Sequence, residues 1–189
     1  IAKGIMARLQ ARKVYQGWKK PKHFDRNLIV IGAGSAGLVS AYIAAMVKAK
    51  VTLIEKHKMG GDCLNTGCVP SKALIKSASV AFHDKQAKKY GFDTISSQFR
   101  FSKLMARVHR AIAKIEPHDS VQRYTDLGVD CRQGEARFLS PWEVEIRNGD
   151  QVDTLTARSI IIASGARPFV PPIPGIEEMD ILTSDNLWE

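Results

Sequence analysis

Cysteine is scarce in this chain of 189 residues, which contains only three. Three thiols cannot build the disulfide framework of a small secreted domain, and any single pairing leaves one over. A reducing, cytoplasmic setting with one special pair is the expectation. Internal repeats and low-complexity tracts are missing, as is any signal peptide or lipidation motif ahead of the folded part. The first residue is Ile1 rather than methionine, so the chain is expected to be a piece of something longer.

Acidic residues are few at one end only. The net charge of +9 suggests a nucleic-acid partner until it is divided along the chain. Residues 1–26 hold Lys3, Arg8, Arg12, Lys13, Lys19, Lys20, Lys22 and Arg26 against Asp25 alone, so the remainder is nearly balanced. The basicity belongs to an N-terminal arm, 1–26, and no nucleic-acid surface is expected. Ile5, Met6, Leu9, Tyr15 and Trp18 recur there at roughly helical spacing, which fits two things: a basic amphipathic helix at the inner face of a membrane, or a solvated helical extension. At 44% hydrophobic the chain has a soluble composition, and the part beyond the arm, 27–189, is sized for one domain.

A run of 21 residues, Asn27 to Val47, carries no charge and has the length of a membrane span. It divides into LIVI, then GAGSAG, then LVSAYIAAMV, which is strand, glycine turn and helix, and not a span. Strand Leu28 to Ile31, helix Ala36 to Lys48 and strand Val51 to Glu55 make one βαβ unit, with parallel pairing and a right-handed crossover. Helical regions follow at Ser71 to Tyr90 and at Ser102 to Asp126. Beyond Gly128 the apolar period becomes two, through Val129, Cys131, Val144 and Ile146, a turn at Asn148-Gly149, Val152 and Leu155, up to the apolar strand Ser159 to Ala163. The fold class expected is α/β: a Rossmann-like parallel sheet with helices and a small antiparallel layer against it. PFVPPIPG, Pro168 to Gly175, has the composition of an extended exit or linker.

Gly32, Gly34 and Gly37 form G-x-G-x-x-G between a strand and a helix. Gly32 permits the tight turn, Gly34 lets the main chain approach a pyrophosphate, and Gly37 lets the helix pack on the strand. Phosphate oxygens are favoured at the helix N-terminus, where amide groups lack partners. Glu55, 18 residues past Gly37, stands where an acid accepts hydrogen bonds from an adenosine ribose. The motif does not separate NAD from FAD, and an NAD-dependent dehydrogenase fits it too.

Three explanations compete for Cys63 and Cys68 in GGDCLNTGCVPSK. Zinc would need more ligands, and Cys131, His57 and His83 form no familiar pattern with the pair, so no metal site is expected. Two buried inert thiols are a second explanation, and a redox dithiol the third. On a regular helix these Cα atoms would be about 8.7 Å apart, whereas a disulfide usually needs less than about 7 Å. Asn65-Thr66-Gly67 are poor helix formers and Pro70 suits only a first turn, so the segment is expected to be distorted. The dipole of the following helix and the charge of Lys72 are expected to lower a thiol pKa there.

GAGSAG, the acid ending the second strand, GGDCLNTGCVPSK and the strand running into ASGARP together resemble the FAD-binding region of the class I flavoprotein disulfide reductases. These include dihydrolipoyl dehydrogenase, glutathione reductase and mercuric reductase, and the chain looks most like the mercuric-reductase-like branch. The resemblance covers 25–189 and implies FAD as cofactor, with NAD(P)H as electron donor in the full-length protein. It implies that a nicotinamide passes hydride to FAD, and that the reduced flavin opens a Cys63–Cys68 disulfide. Cys68 would be the flavin-proximal sulfur, Cys63 the interchange thiol acting on a disulfide, lipoamide or mercuric ion, and Lys72 the positive charge beside the flavin. Gly32, Gly34, Ser35, Ala36, Gly37, Gly61 and Asp62 would surround the pyrophosphate, Glu55 and Lys56 the ribose, and Ala136 beside Glu135 the adenine. Ser164 and Gly165 would stand where the family usually has Thr-Gly.

Two departures from that pattern stand out. Family members commonly have threonine in place of Asp62, whose carboxylate would repel a phosphate. There is also no second G-x-G-x-x-G, no late Gly-Asp flavin motif and no interface domain of the kind that makes the family homodimeric. The chain is therefore expected to be the N-terminal part of an FAD-binding domain that does not turn over alone. The alternative expectation is a non-catalytic nucleotide-binding module with structural cysteines.

Overall fold

Branched apolar residues start the fold at β1, Arg26–Ile31, where Ile29 and Val30 are fully buried. A computed structural model describes residues 15, 17–93, 96 and 98–188. Helix α1, Ser35–Met46, follows the glycine turn and returns the chain to β2, Val51–Glu55, which pairs parallel to β1 with Leu28 opposite Val51. The uncharged run is thus strand, turn and helix, as its composition requires. Among the described residues no helix is long and apolar enough to cross a membrane.

Helices α2, Gly61–Asn65, and α3, Cys68–Lys85, come next, then α4, Phe101–Ile115, and α5, Val121–Asp126. The second helical region is broken where one helix was expected. Pro117 has no N–H to continue α4 and opens a 3₁₀ turn at Glu116–Asp119, after which the Ser120 hydroxyl caps α5 by accepting from the Arg123 amide. The first region ends in a separate 3₁₀ turn, Ala87–Tyr90, closed by Gly91 in the left-handed conformation.

Strand β3, Val129–Gln133, pairs parallel to β2; β4, Glu135–Ser140, and β5, Glu143–Asn148, form an antiparallel ribbon. The last strand, β6, is continuous over Gln151–Ile162. Residues 151–156 of it pair antiparallel to β5, and Ala157 to Ile162 pair parallel to β1, so the six strands run in the order β3-β2-β1-β6-β5-β4.

Both faces of the parallel part are covered. Val30, Leu38, Ala41, Leu53, Val129 and Tyr124 fill one side beneath α1 and α5. On the other side Val144 and Ile146 of the ribbon pack with Ile29 and Ile54, so the antiparallel layer lies against the parallel one as expected. β2 is accordingly buried along four consecutive residues, as befits a strand covered twice. A third cluster joins Ala73 of α3, Val108 of α4 and Trp188.

Of the arm, Ile5, Met6 and Leu9 lie outside the described residues. Tyr15 stacks at 5.1 Å on Trp142, and the Lys20 ammonium sits 5.9 Å from the same ring. Arg26 belongs to β1: its guanidinium donates to Thr52 at 2.7 Å and to Asp130 at 2.8 Å.

Candidate functional site

A cleft of about 880 Å³ opens above the C-terminal ends of β1, β2 and β6, where strand ends and a helix N-terminus face open space. Its floor is the glycine turn. Gly32 has φ +100°, a conformation that excludes most side chains, and a Cβ there would overlap the Ala163 carbonyl. A Cβ on Gly37 would overlap the Gly32 carbonyl, so that position is set by helix–strand packing. Gly34, Ser35 and Ala36 line the cleft, whereas Gly37 does not.

The cysteine-bearing segment docks on this turn backbone to backbone. The Gly60 amide donates to the Ala33 carbonyl at 2.9 Å. A Cβ on Gly61, whose φ is +53°, would stand only 2.7 Å from the Gly34 Cα. The Asn65 amide donates to the carbonyls of Met59 and Gly61 at 3.1 and 2.9 Å, which ties the short helix α2 to its own entrance. Gly61, Asp62 and Cys63 consequently form one wall of the cleft. Asp62 faces the opposite lip, since a Cβ on Gly165 would come within 3.8 Å of its Oδ2.

Glu55 organises the second wall. One carboxylate oxygen accepts from the Ala33 amide at 2.7 Å and the other from the His57 amide at 2.8 Å. A carboxylate has about four acceptor sites, so two remain open to a hydroxyl in the cleft. Lys56 reaches Glu135 at 3.8 Å across the rim, and Ala136, Ser164 and Gly165 complete the lining. His57, Arg167 and Asp185 also line the cleft, through loop geometry that no sequence motif announces.

Cys68 and Lys72 lie on the first turns of α3, outside the lining. Cys63 and Cys68 are free thiols. Here the structure corrects an expectation. The Cys68 pKa is raised and not lowered: a hydrogen bond with the Cys63 sulfur is the main cause, desolvation and the Cys63 charge add to it, and Lys72 only partly offsets them. The third cysteine, Cys131, sits on β3 with burial pushing its thiol up. Among the described residues no three His, Cys, Asp or Glu side chains converge as metal ligands.

The residues present fit a dinucleotide. Gly32 and Gly61 have no room for a Cβ, Gly34, Ser35 and Ala36 bring the start of α1 to the cleft, and Glu55 keeps acceptor capacity for hydroxyls there. Asp62, on the wall beside the turn, opposes an anion there. The chain is 35% identical over 167 residues to a mercuric reductase of Bacillus cereus, covering 88% of this chain and 26% of that protein. It is 33% identical to a dihydrolipoyl dehydrogenase of Bacillus subtilis, covering 86% of this chain and 36% of the relative, and 34% identical to a glutathione reductase of Burkholderia cepacia, with shares of 88% and 35%. It thus spans about a quarter to a third of the length of these relatives. The fold is shared with a solved Cu(II) complex of a mutant of the HOCl-induced flavoprotein disulfide reductase RclA from Escherichia coli, at TM-score 0.67 and 24% identity over 84% of this chain and 32% of that one. The family model for the pyridine nucleotide-disulphide oxidoreductases matches residues 26–189, and the chain belongs to that family.

Proposed function

We propose that this chain supplies the flavin-nucleotide cradle and the dithiol of an NAD(P)H-dependent disulfide oxidoreductase, with Cys63 and Cys68 as the exchanging pair. The observation that carries the proposal is the docking of Gly60-Gly61 on Ala33-Gly34, because it fixes Cys63 on the wall of the cleft whose floor is the glycine turn. The amides of Ser35 and Ala36 would hold the pyrophosphate of FAD, and Glu55 its ribose. Bound there, FAD would supply the two-electron chemistry that carries reducing equivalents from a nicotinamide to the cysteines.

The cysteines themselves do the substrate chemistry. Cys63 is the sulfur on the cleft wall and is assigned the attack. The Cys63 thiolate displaces one sulfur of a substrate disulfide, forming a mixed disulfide and releasing a thiol. Cys68 then attacks the Cys63 sulfur, the second substrate thiol leaves, and a Cys63–Cys68 disulfide remains, two electrons poorer. The substrate class proposed is a small disulfide such as lipoamide; a thiophilic mercuric ion would be bound by the same pair.

Flavin fluorescence quenching on titration of the protein into FAD should saturate at one site. Gly61→Val, which pushes a branched side chain into Gly34, should weaken that binding at least tenfold, at about 1.4 kcal/mol per tenfold. Peptide mass mapping after mild oxidation should show Cys63 linked to Cys68. Absence of flavin binding in the wild type, or mapping that leaves both cysteines unlinked, overturns the proposal.

A further inference from the structure

Between the two cysteines the helix is interrupted, and the interruption has its own hydrogen-bond partners. Thr66 has φ −134° and ψ 2°, and Gly67 has φ −124° and ψ −106°. The Thr66 amide donates to the Asp62 carbonyl at 2.9 Å, and the Gly67 carbonyl accepts from Ser71 at 3.0 Å. The Thr66 carbonyl is different. In a running helix its donor would be the amide four residues on, and that residue is Pro70, which has none. The donor it does have is the indole Nε1 of Trp188, at 2.8 Å and 122 residues away. Trp188 is 7% exposed, wedged against Ala73 and Val108, and the same N–H is shared with the Ser184 carbonyl at 3.0 Å.

We infer that Trp188 is a positioning residue for the cysteine pair: its N–H supplies the bond Pro70 withholds and keeps the helix broken between Cys63 and Cys68. The inference rests on the dithiol function proposed above. A continuous helix would set the two Cα atoms about 8.7 Å apart, beyond the reach of about 7 Å that a disulfide allows. The broken helix favours the disulfide, and whatever anchors the break favours it too. Gly67 contributes by sterics, since a Cβ there would stand 2.8 Å from the Asp62 carbonyl. Trp188 contributes a bond from the C-terminal segment, which also brings Asp185 to the cleft.

The test is the thiol–disulfide equilibrium of the pair in glutathione redox buffers, read by alkylation and mass mapping on folded protein. Trp188→Phe keeps an apolar ring but removes the N–H, and should lower the equilibrium constant for oxidation about three- to tenfold, as expected for one lost hydrogen bond. Val108→Ala loosens the same cluster without touching Thr66; it should reduce thermal stability and leave the constant unchanged. Should Trp188→Phe fail to fold, Pro70→Ala is read in its place. It lets the helix run through, and should lower the constant likewise. An unchanged constant in the variant that is read, or an equal drop in Val108→Ala, overturns the role of Trp188 while leaving the dithiol intact. A wild type that never links Cys63 to Cys68 overturns both.

Discussion

Lys72 follows Cys68 by one helical turn and does pull its pKa down, yet the neighbouring Cys63 sulfur outweighs it. The thiol of an exposed helix start is thereby less acidic than helix dipole and lysine alone would make it. Removing each partner should move Cys68 in opposite directions. In Cys63→Ala the pH midpoint for alkylation of Cys68 by iodoacetamide should fall, and in Lys72→Ala it should rise; the reverse order would refute the assignment of causes. That the two sulfurs come close was legible, because Asn65-Thr66-Gly67 ahead of Pro70 cannot hold a regular helix between them. The sign of the pKa was not, since it depends on how the two sulfurs face each other. Glu55 is a similar case. Its place at the end of β2 could be read from spacing, whereas its bonds to the Ala33 and His57 amides depend on the backbone path.

A polar network crosses the sheet one level above these residues in scale. Asp130 on β3 accepts from Arg26 on β1 at 2.8 Å, from Thr52 on β2 at 3.1 Å and from Arg132, which also reaches Asp153 on β6 at 3.3 Å. Burial pushes the Asp130 carboxyl up, but these hydrogen bonds outweigh it and the net pKa is lowered. The linkage has a definite sign. A carboxylate with a depressed folded pKa contributes stability that is present above its unfolded value of about 3.9 and is lost as pH falls through the folded value. Asp130→Asn should therefore cost about 1–3 kcal/mol near neutrality, measured by urea unfolding, and the deficit should shrink as pH falls below the unfolded value. The βαβ unit that supplies Arg26 and Thr52 was legible from its periodicity, to within two residues at each end. β6 was not seen as one strand, because its surroundings change midway: a half-exposed ribbon partner up to Thr156, then a neighbour of β1. A single period cannot describe both halves.

For the whole molecule, ligand and stability are linked by mass action. FAD at a hundred times its dissociation constant should stabilise the protein by about 2.7 kcal/mol, visible by calorimetry as a concentration-dependent rise in Tm. Asp62→Thr removes a negative charge from the wall facing Gly165 and should enlarge that rise at the same FAD concentration; a smaller rise would show that Asp62 assists the flavin. The chain's course after the cleft was the least legible part. PFVPPIPG has the composition of an exit, and its residues form neither helix nor strand, but the segment beyond Gly175 returns to bury Trp188 between α3 and α4. Nothing in local composition announces a return fixed by one aromatic side chain.

β6 has a further consequence, which concerns synthesis. Asp25 and Thr156, bonded where β1 and β6 begin to run together, are 131 residues apart. At roughly 5–20 residues per second on the ribosome, β1 waits on the order of ten seconds with one edge bare. Contacts of such long sequence separation also form slowly once they can form. The strand that completes the cleft is thus the last of the six to emerge, and a nascent chain displays the open edge of β1, an invitation to foreign strands, until it arrives.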